Sequence, residues 1–163
     1  MGTIRLFDGI SIKKPVCISA NGLRYIARRA TILARRNGRE ACGLLVLNTP
    51  FVELLETINA NKSGGSFRFN RCDIRRQLAK VERRGCVVIG TFHSHPAYIA
   101  RPGKSDIHSA VKGSLMLIFD VTGNKYRLWK ISSRSAREVS FKQWRFRIKH
   151  GQGLGRDVGK LVI

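Results

Sequence analysis

Seven consecutive residues from Cys86 to Phe92 form an apolar run that ends directly on His93-Ser94-His95-Pro96. A continuous run of that length is what a strand buried in the middle of a sheet requires, so the chain must supply layers on either side of it. Two histidines at i and i+2 on extended backbone project to the same side. They sit where the buried strand is expected to give way to a functional loop, which Pro102 and Gly103 punctuate.

The flanking patterns supply the rest of such a sheet. A short strand is expected around Ile4 to Ile12. A helix is expected from Asn21 to Asn37, with Leu23, Ile26, Ala30 and Leu33 at helical spacing and Arg24, Arg28, Arg35 and Arg36 on its other face. After a break at Asn37-Gly38, Ala41 to Leu47 and Phe51 to Asn59 read as a hairpin turned at Asn48-Thr49-Pro50. Asn61 to Phe69 is a polar, Gly-rich loop. Asn70 with Asp73 reads as a capping box for a second helix carrying Ile74, Leu78 and Val81 and stopping near Gly85. Downstream of the histidines come a short helix with Ile107, Ala110 and Val111, then strands over Leu115 to Val121, Lys125 to Ile131 and Glu138 to Phe141. The fold class is mixed α/β, a mostly antiparallel sheet flanked by helices. No internal repeat is present.

At 163 residues and 43% hydrophobic, the chain is expected to form one domain with its own core. Cys17, Cys42, Cys72 and Cys86 are widely spaced without a CxxC pair, which predicts reduced thiols and a cytoplasmic protein. Neither a signal peptide nor a span of about 20 apolar residues is visible, so no membrane association is expected. The formal net charge of +21, carried mostly by arginine, implies an acidic partner: a negatively charged protein, or nucleic acid. A solvated basic surface with no dedicated partner is the plainer alternative. From Lys142 onward six Lys/Arg face a single acid, Asp157, among several glycines. Residues 143–163 therefore read as a basic extension, a flexible tail or, from the alternation of Trp144, Phe146 and Ile148, an edge strand.

Asp106 follows His95 by eleven residues, across a loop closed by Pro102, at the start of the short helix, where the helix dipole favours an ionised carboxylate. His93, His95 and Asp106 thus make a three-ligand set with a vacant fourth position, the description of a catalytic Zn2+ site. An HxH pair alone would more often be satisfied by core hydrogen bonds. The full string GTFHSHPAYIARPGKSD, however, resembles the signature of the JAMM/MPN-domain zinc metalloproteases.

That resemblance covers about Asn21 to Phe141, implies a JAMM/MPN domain over residues 1–142 with a cytidine-deaminase-like sheet, and extends to Glu40. Family members place the general base, a glutamate, at the start of the first core strand, where this chain has REACGLLVLN. The implied function is a zinc-dependent isopeptidase or peptidase acting after the C-terminal Gly-Gly of a ubiquitin-like modifier or sulfur-carrier protein, in the compact prokaryotic or archaeal style. Asn61 to Asn70 would line the substrate. One position departs from the pattern: Gly103 stands where relatives carry a serine that caps the helix and steadies the oxyanion, with Ser105 the nearest substitute. His108 is expected on the helix surface or behind the ligands. Two other readings stay open, an inactive MPN scaffold and a basic nucleic-acid-binding protein.

Overall fold

The computed structural model describes residues 3–5 and 10–144 of the chain. Where a single strand is expected near the N-terminus there are two, β1 (Thr3–Arg5) and β2 (Ser11–Lys13). They pair antiparallel with Ile4 opposite Ile12, so the two isoleucines that read as the ends of one strand face each other across a ladder. The short strand β3 (Val16–Ser19) then leads into α1 (Ala20–Asn37). Ser19 caps that helix by accepting from the Gly22 N–H, and Gly38 ends it in the left-handed conformation at φ 65°.

The hairpin β4 (Cys42–Asn48) and β5 (Phe51–Thr57) follows, then α2 (Arg71–Arg83), β6 (Val87–His95), α3 (Lys104–Ser109), β7 (Leu115–Asp120), β8 (Lys125–Ile131), β9 (Ala136–Val139) and β10 (Phe141–Trp144). Eight strands form one sheet in the order β10-β3-β5-β4-β6-β7-β8-β9. Four of its seven neighbouring pairs are antiparallel, the exceptions being β10 with β3, β3 with β5, and β6 with β7. Only half of the expected capping box forms. The Asn70 side chain accepts from the Cys72 and Asp73 N–H groups, whereas the Asp73 carboxylate turns to the Ile58 N–H and to Arg76.

Alternation along β4 explains why both faces are covered. Leu45 points into a cluster with Leu23 and Ile26 of α1, while Leu44 and Val46 point the other way to Val81 and Ile74 of α2. The sheet is also strongly curled. Only Ser140 separates β9 from β10, yet these strands stand at opposite ends of the strand order. Two Cα steps span less than about 8 Å, so the edges come together around a core that includes Ile18, Leu45, Phe92, Leu117 and Val139. Trp144 of β10 stacks on Phe51 of β5 across the intervening β3, with ring centroids 4.1 Å apart. Of the basic segment 143–163, positions 143 and 144 complete β10; the rest lies outside the described residues.

Candidate metal centre

Strand β6 lies between β4 and β7 and does not stop at Phe92: the ladder continues through His93, opposite Ile118, to His95, opposite Asp120. Both imidazoles therefore sit on ordered strand backbone, with His93 and His95 buried. Their Nε2 atoms are 3.0 Å apart. Asp106 Oδ2 approaches them at 3.6 and 3.8 Å, and one donor atom from each residue falls within 4.8 Å of the others.

The protonation states suit a cation. His95 donates its Nδ1 proton to the Ile99 carbonyl at 2.8 Å, which leaves the Nε2 lone pair facing the centre. Burial outweighs the attraction of Asp106 and holds His93 below the ordinary imidazole range, so it is neutral. Burial also opposes charge on Asp106, but the imidazoles and the Gly103 N–H outweigh it and keep this carboxyl below its usual pKa. Once His93 gives up the proton on Nε2, two imidazole nitrogens and a carboxylate oxygen converge as acceptors, a set that a positive ion satisfies. The donor set fits a zinc-type ion with three protein ligands. The support behind the ligands is uneven. Among the described residues His93 Nδ1 is buried without a hydrogen-bond partner, and its ring is held by stacking on Phe67, with centroids 4.8 Å apart.

Asp106 arrives on α3, a helix with no buried residue. Its Oδ2 accepts from the N–H of the N-cap residue Gly103 at 2.7 Å, so one short contact aims the carboxylate at the histidines. Gly103 has φ −76° and ψ 172°, extended backbone open to any residue. A Cβ there would lie 3.4 Å from Asp106 Oδ2 and 3.9 Å from Ser105 Oγ, ordinary contact. Ser105 and His108 are exposed and line the groove that Asp106 also borders.

Glu40 lies between the Gly38 turn and β4, and only 5% of it is exposed. Its pKa is pushed up to about 8, first by burial and then by the negative charge of Asp106, which places the two carboxyls near each other. The neighbouring backbone is clamped to the histidine strand: Ala41 N–H donates to Ser94 Oγ and Ser94 N–H to the Ala41 carbonyl, both at 2.9 Å. Continuing the Cys42–His93 register places Glu40 beside His95. Three contributors have no mark in local sequence pattern: Ser94, Phe67 and Asn59. Asn59 is buried at the end of the hairpin and bonds to the Glu40 carbonyl.

Two cavities flank these residues. One of about 350 Å³ reaches Glu40 and is polar, lined by Arg29, Arg39, Glu56, Asp73 and Gln77 among others. The other, about 670 Å³, reaches Asp106 and is walled by Leu44, Phe67, Phe69, Val88, Val111 and Met116. The loop after Asn59 supplies one wall of the larger groove through Ser66, Phe67, Arg68 and Phe69.

Fold and sequence match together define a JAB-type domain, in which His93, His95 and Asp106 form a donor group of the kind that could hold a metal ion. A sequence profile described as prokaryotic homologs of the JAB domain matches residues 23–132, and the chain belongs to this family, a compact prokaryotic form of the JAMM/MPN domain. No curated protein matches it. Among solved structures, a protein of Desulfitobacterium hafniense shares 20% identity at a TM-score of 0.66, covering 78% of this chain and 92% of that one. A JAB1/MPN domain protein of Archaeoglobus fulgidus shares 22% at 0.52, with 78% and 98% covered. A Salinibacter ruber protein shares 19% at 0.56, with 78% and 91% covered. At these identities the likeness is one of fold. Among the described residues no helix is long and apolar enough to cross a membrane.

Proposed function

We propose that this protein is a zinc-dependent hydrolase of peptide or isopeptide bonds, with His93, His95 and Asp106 holding the metal and Glu40 carrying the proton. The observation that supports it most is the convergence of three acceptor atoms within 4.8 Å beside a buried carboxyl whose pKa stands near 8. A zinc ion held there supplies a Lewis acid for a carbonyl and lowers the pKa of water to about 7. Glu40 accepts the proton of the attacking water on a carboxylate oxygen and returns it to the leaving amine nitrogen; a cation held by the triad would bring its pKa down from the metal-free value near 8 and favour the carboxylate that the first transfer needs.

The apolar groove that begins at Asp106 suits an extended acyl segment, and the exposed Arg68, Arg101, Lys104 and Lys112 stand on the segments around it. These cations favour an acidic substrate, which we take to be a ubiquitin-like or sulfur-carrier protein ending in Gly-Gly. An inactive scaffold is the second reading, and Gly103 is the residue that favours it. The test is cleavage of an acidic modifier-like protein fused through its Gly-Gly end to a reporter. Cleavage is expected with zinc, is lost on chelation, weakens as salt rises, and is lost in Glu40→Gln although zinc stays bound. Full activity in Glu40→Gln removes Glu40 from the chemistry; a zinc-loaded wild type that cleaves no such fusion hands the case to the scaffold.

A further inference from the structure

In the proposed reaction Glu40 presents its carboxyl to the centre from a short connection between the end of α1 and β4, clamped on its C-terminal side by the Ala41–Ser94 pair. Its backbone carbonyl is held from across the molecule: Asn59 Nδ2 donates to Glu40 O at 3.0 Å. The same amide group organises the Gly-rich loop. Asn59 Nδ2 also reaches Ser66 O at 3.4 Å, and Asn59 Oδ1 accepts from the Asn61 N–H at 2.9 Å and the Arg68 N–H at 3.1 Å. With these bonds one side chain uses its donors on Glu40 and Ser66 and its acceptor on the two ends of the loop. The Asn59 side chain and its bond to the Glu40 carbonyl are buried, so water does not readily replace that partner.

The loop it holds is the one that touches substrate space. Between its ends stands Phe67, stacked on His93, and Phe67, Arg68 and Phe69 wall the apolar groove. Arg39, the residue before Glu40, braces the arrangement from the other direction through the Asn59 and Asn61 carbonyls. The loop and the proposed base therefore share one buried amide.

We infer that Asn59 is a positioning residue that sets Glu40 against the substrate-lining loop, so that a segment seated in the groove meets the base at a fixed offset. This rests on the hydrolase reading above. Nothing in it requires Asn59 to touch substrate. Its two halves have different duties: the Oδ1 acceptor holds the two ends of the loop, and the Nδ2 donor holds Glu40 at 3.0 Å and reaches the loop only through the longer 3.4 Å contact to Ser66 O.

Asn59→Asp and Asn59→Ala separate the two. Aspartate keeps the acceptor and lacks the amide donor; alanine lacks both. In Asn59→Asp the Asn61 and Arg68 amides should remain protected from hydrogen exchange, zinc stoichiometry should be unchanged, and kcat should fall about 10- to 100-fold with KM within about threefold of wild type. In Asn59→Ala the two amides should lose protection and KM should rise as well as kcat fall. Asn59→Asp with wild-type kcat on the Gly-Gly fusion, in an active preparation, overturns the inference and leaves the hydrolase reading standing. Asn59→Asp that loses amide protection as fully as alanine also overturns it, since the duties would not be separable. A zinc-loaded wild type that cleaves nothing removes the hydrolase reading and this inference together.

Discussion

The three proposed ligands come from two regions of opposite character. His93 and His95 belong to β6, laddered on both sides and backed by the core through Ile89 and Phe92. Asp106 belongs to a six-residue helix with no buried side chain, aimed by one backbone N–H. The sheet half of the site is thus organised before any ion arrives, and the helical half has little apart from an ion to hold it. Opening free energies follow buried contacts and backbone pairing. A metal that binds only the assembled site stabilises it by linkage, and this gain should be felt mainly in α3.

The largest expected effect tests that asymmetry. Asp106→Asn replaces an anionic ligand with a neutral amide, which should weaken zinc binding on the order of 100-fold or more. In wild type, zinc should slow hydrogen exchange strongly over residues 104–110 and only slightly over residues 89–94. In Asp106→Asn the first protection should vanish. Equal protection of both segments would mean that the sheet half is not preorganised, and unchanged affinity would remove Asp106 from the ligand set.

What the sequence makes legible divides along the same line. The run from Cys86 to Phe92 announces a central strand, and the His93, His95 and Asp106 spacing is carried by residues whose chemistry is conspicuous in isolation. The extension of β6 to His95 is not announced, because it depends on pairing with β7 as far as Asp120. Likewise β10 joins β3 across more than a hundred residues, and a local pattern cannot reveal an edge formed by curling the sheet. Asn59 escapes notice for the same reason: its partner Glu40 is 19 residues away and presents a backbone carbonyl, which every residue has. The expected capping role of Asp73 misleads because the Ile58 N–H competes successfully for that carboxylate.

Glu40 gives the intermediate effect, and it concerns the metal-free protein. Its native pKa, about 8, lies above the ordinary value of 4.5, so the native state binds the extra proton. The associated stability is full below pH 4.5 and is lost as pH rises through 8, a change of at most about 5 kcal/mol. His93 runs the other way, its native pKa being depressed, so the wild-type curve alone mixes the two. The difference between Glu40→Gln and wild type cancels His93. Urea unfolding of chelated protein at pH 5, 6.5 and 8 should show the glutamine variant gaining steadily over wild type, and zinc should shrink that gain because a nearby cation favours the Glu40 carboxylate. A pH-independent difference would mean that Glu40 is not buried as a neutral acid.

The smallest expected effect belongs to Gly103, where the two halves of the site meet. Its φ of −76° removes any need for glycine's left-handed freedom, and the space for a Cβ is ordinary contact distance from Asp106 Oδ2. A serine hydroxyl there has one established use, capping a first-turn N–H of α3, which should stabilise the helix by some tenths of a kcal/mol over glycine. It has a second use only if the hydroxyl also reaches the oxyanion, in which case kcat for the Gly-Gly fusion should rise with zinc affinity nearly unchanged. Hydrogen exchange over α3 in metal-free Gly103→Ser reads the first, and turnover reads the second. Slower exchange without faster turnover would assign the position to helix capping alone. Loss of zinc affinity would show instead that the hydroxyl displaces the Gly103 N–H from Asp106 Oδ2, and that this backbone contact is what the exposed half of the site depends on.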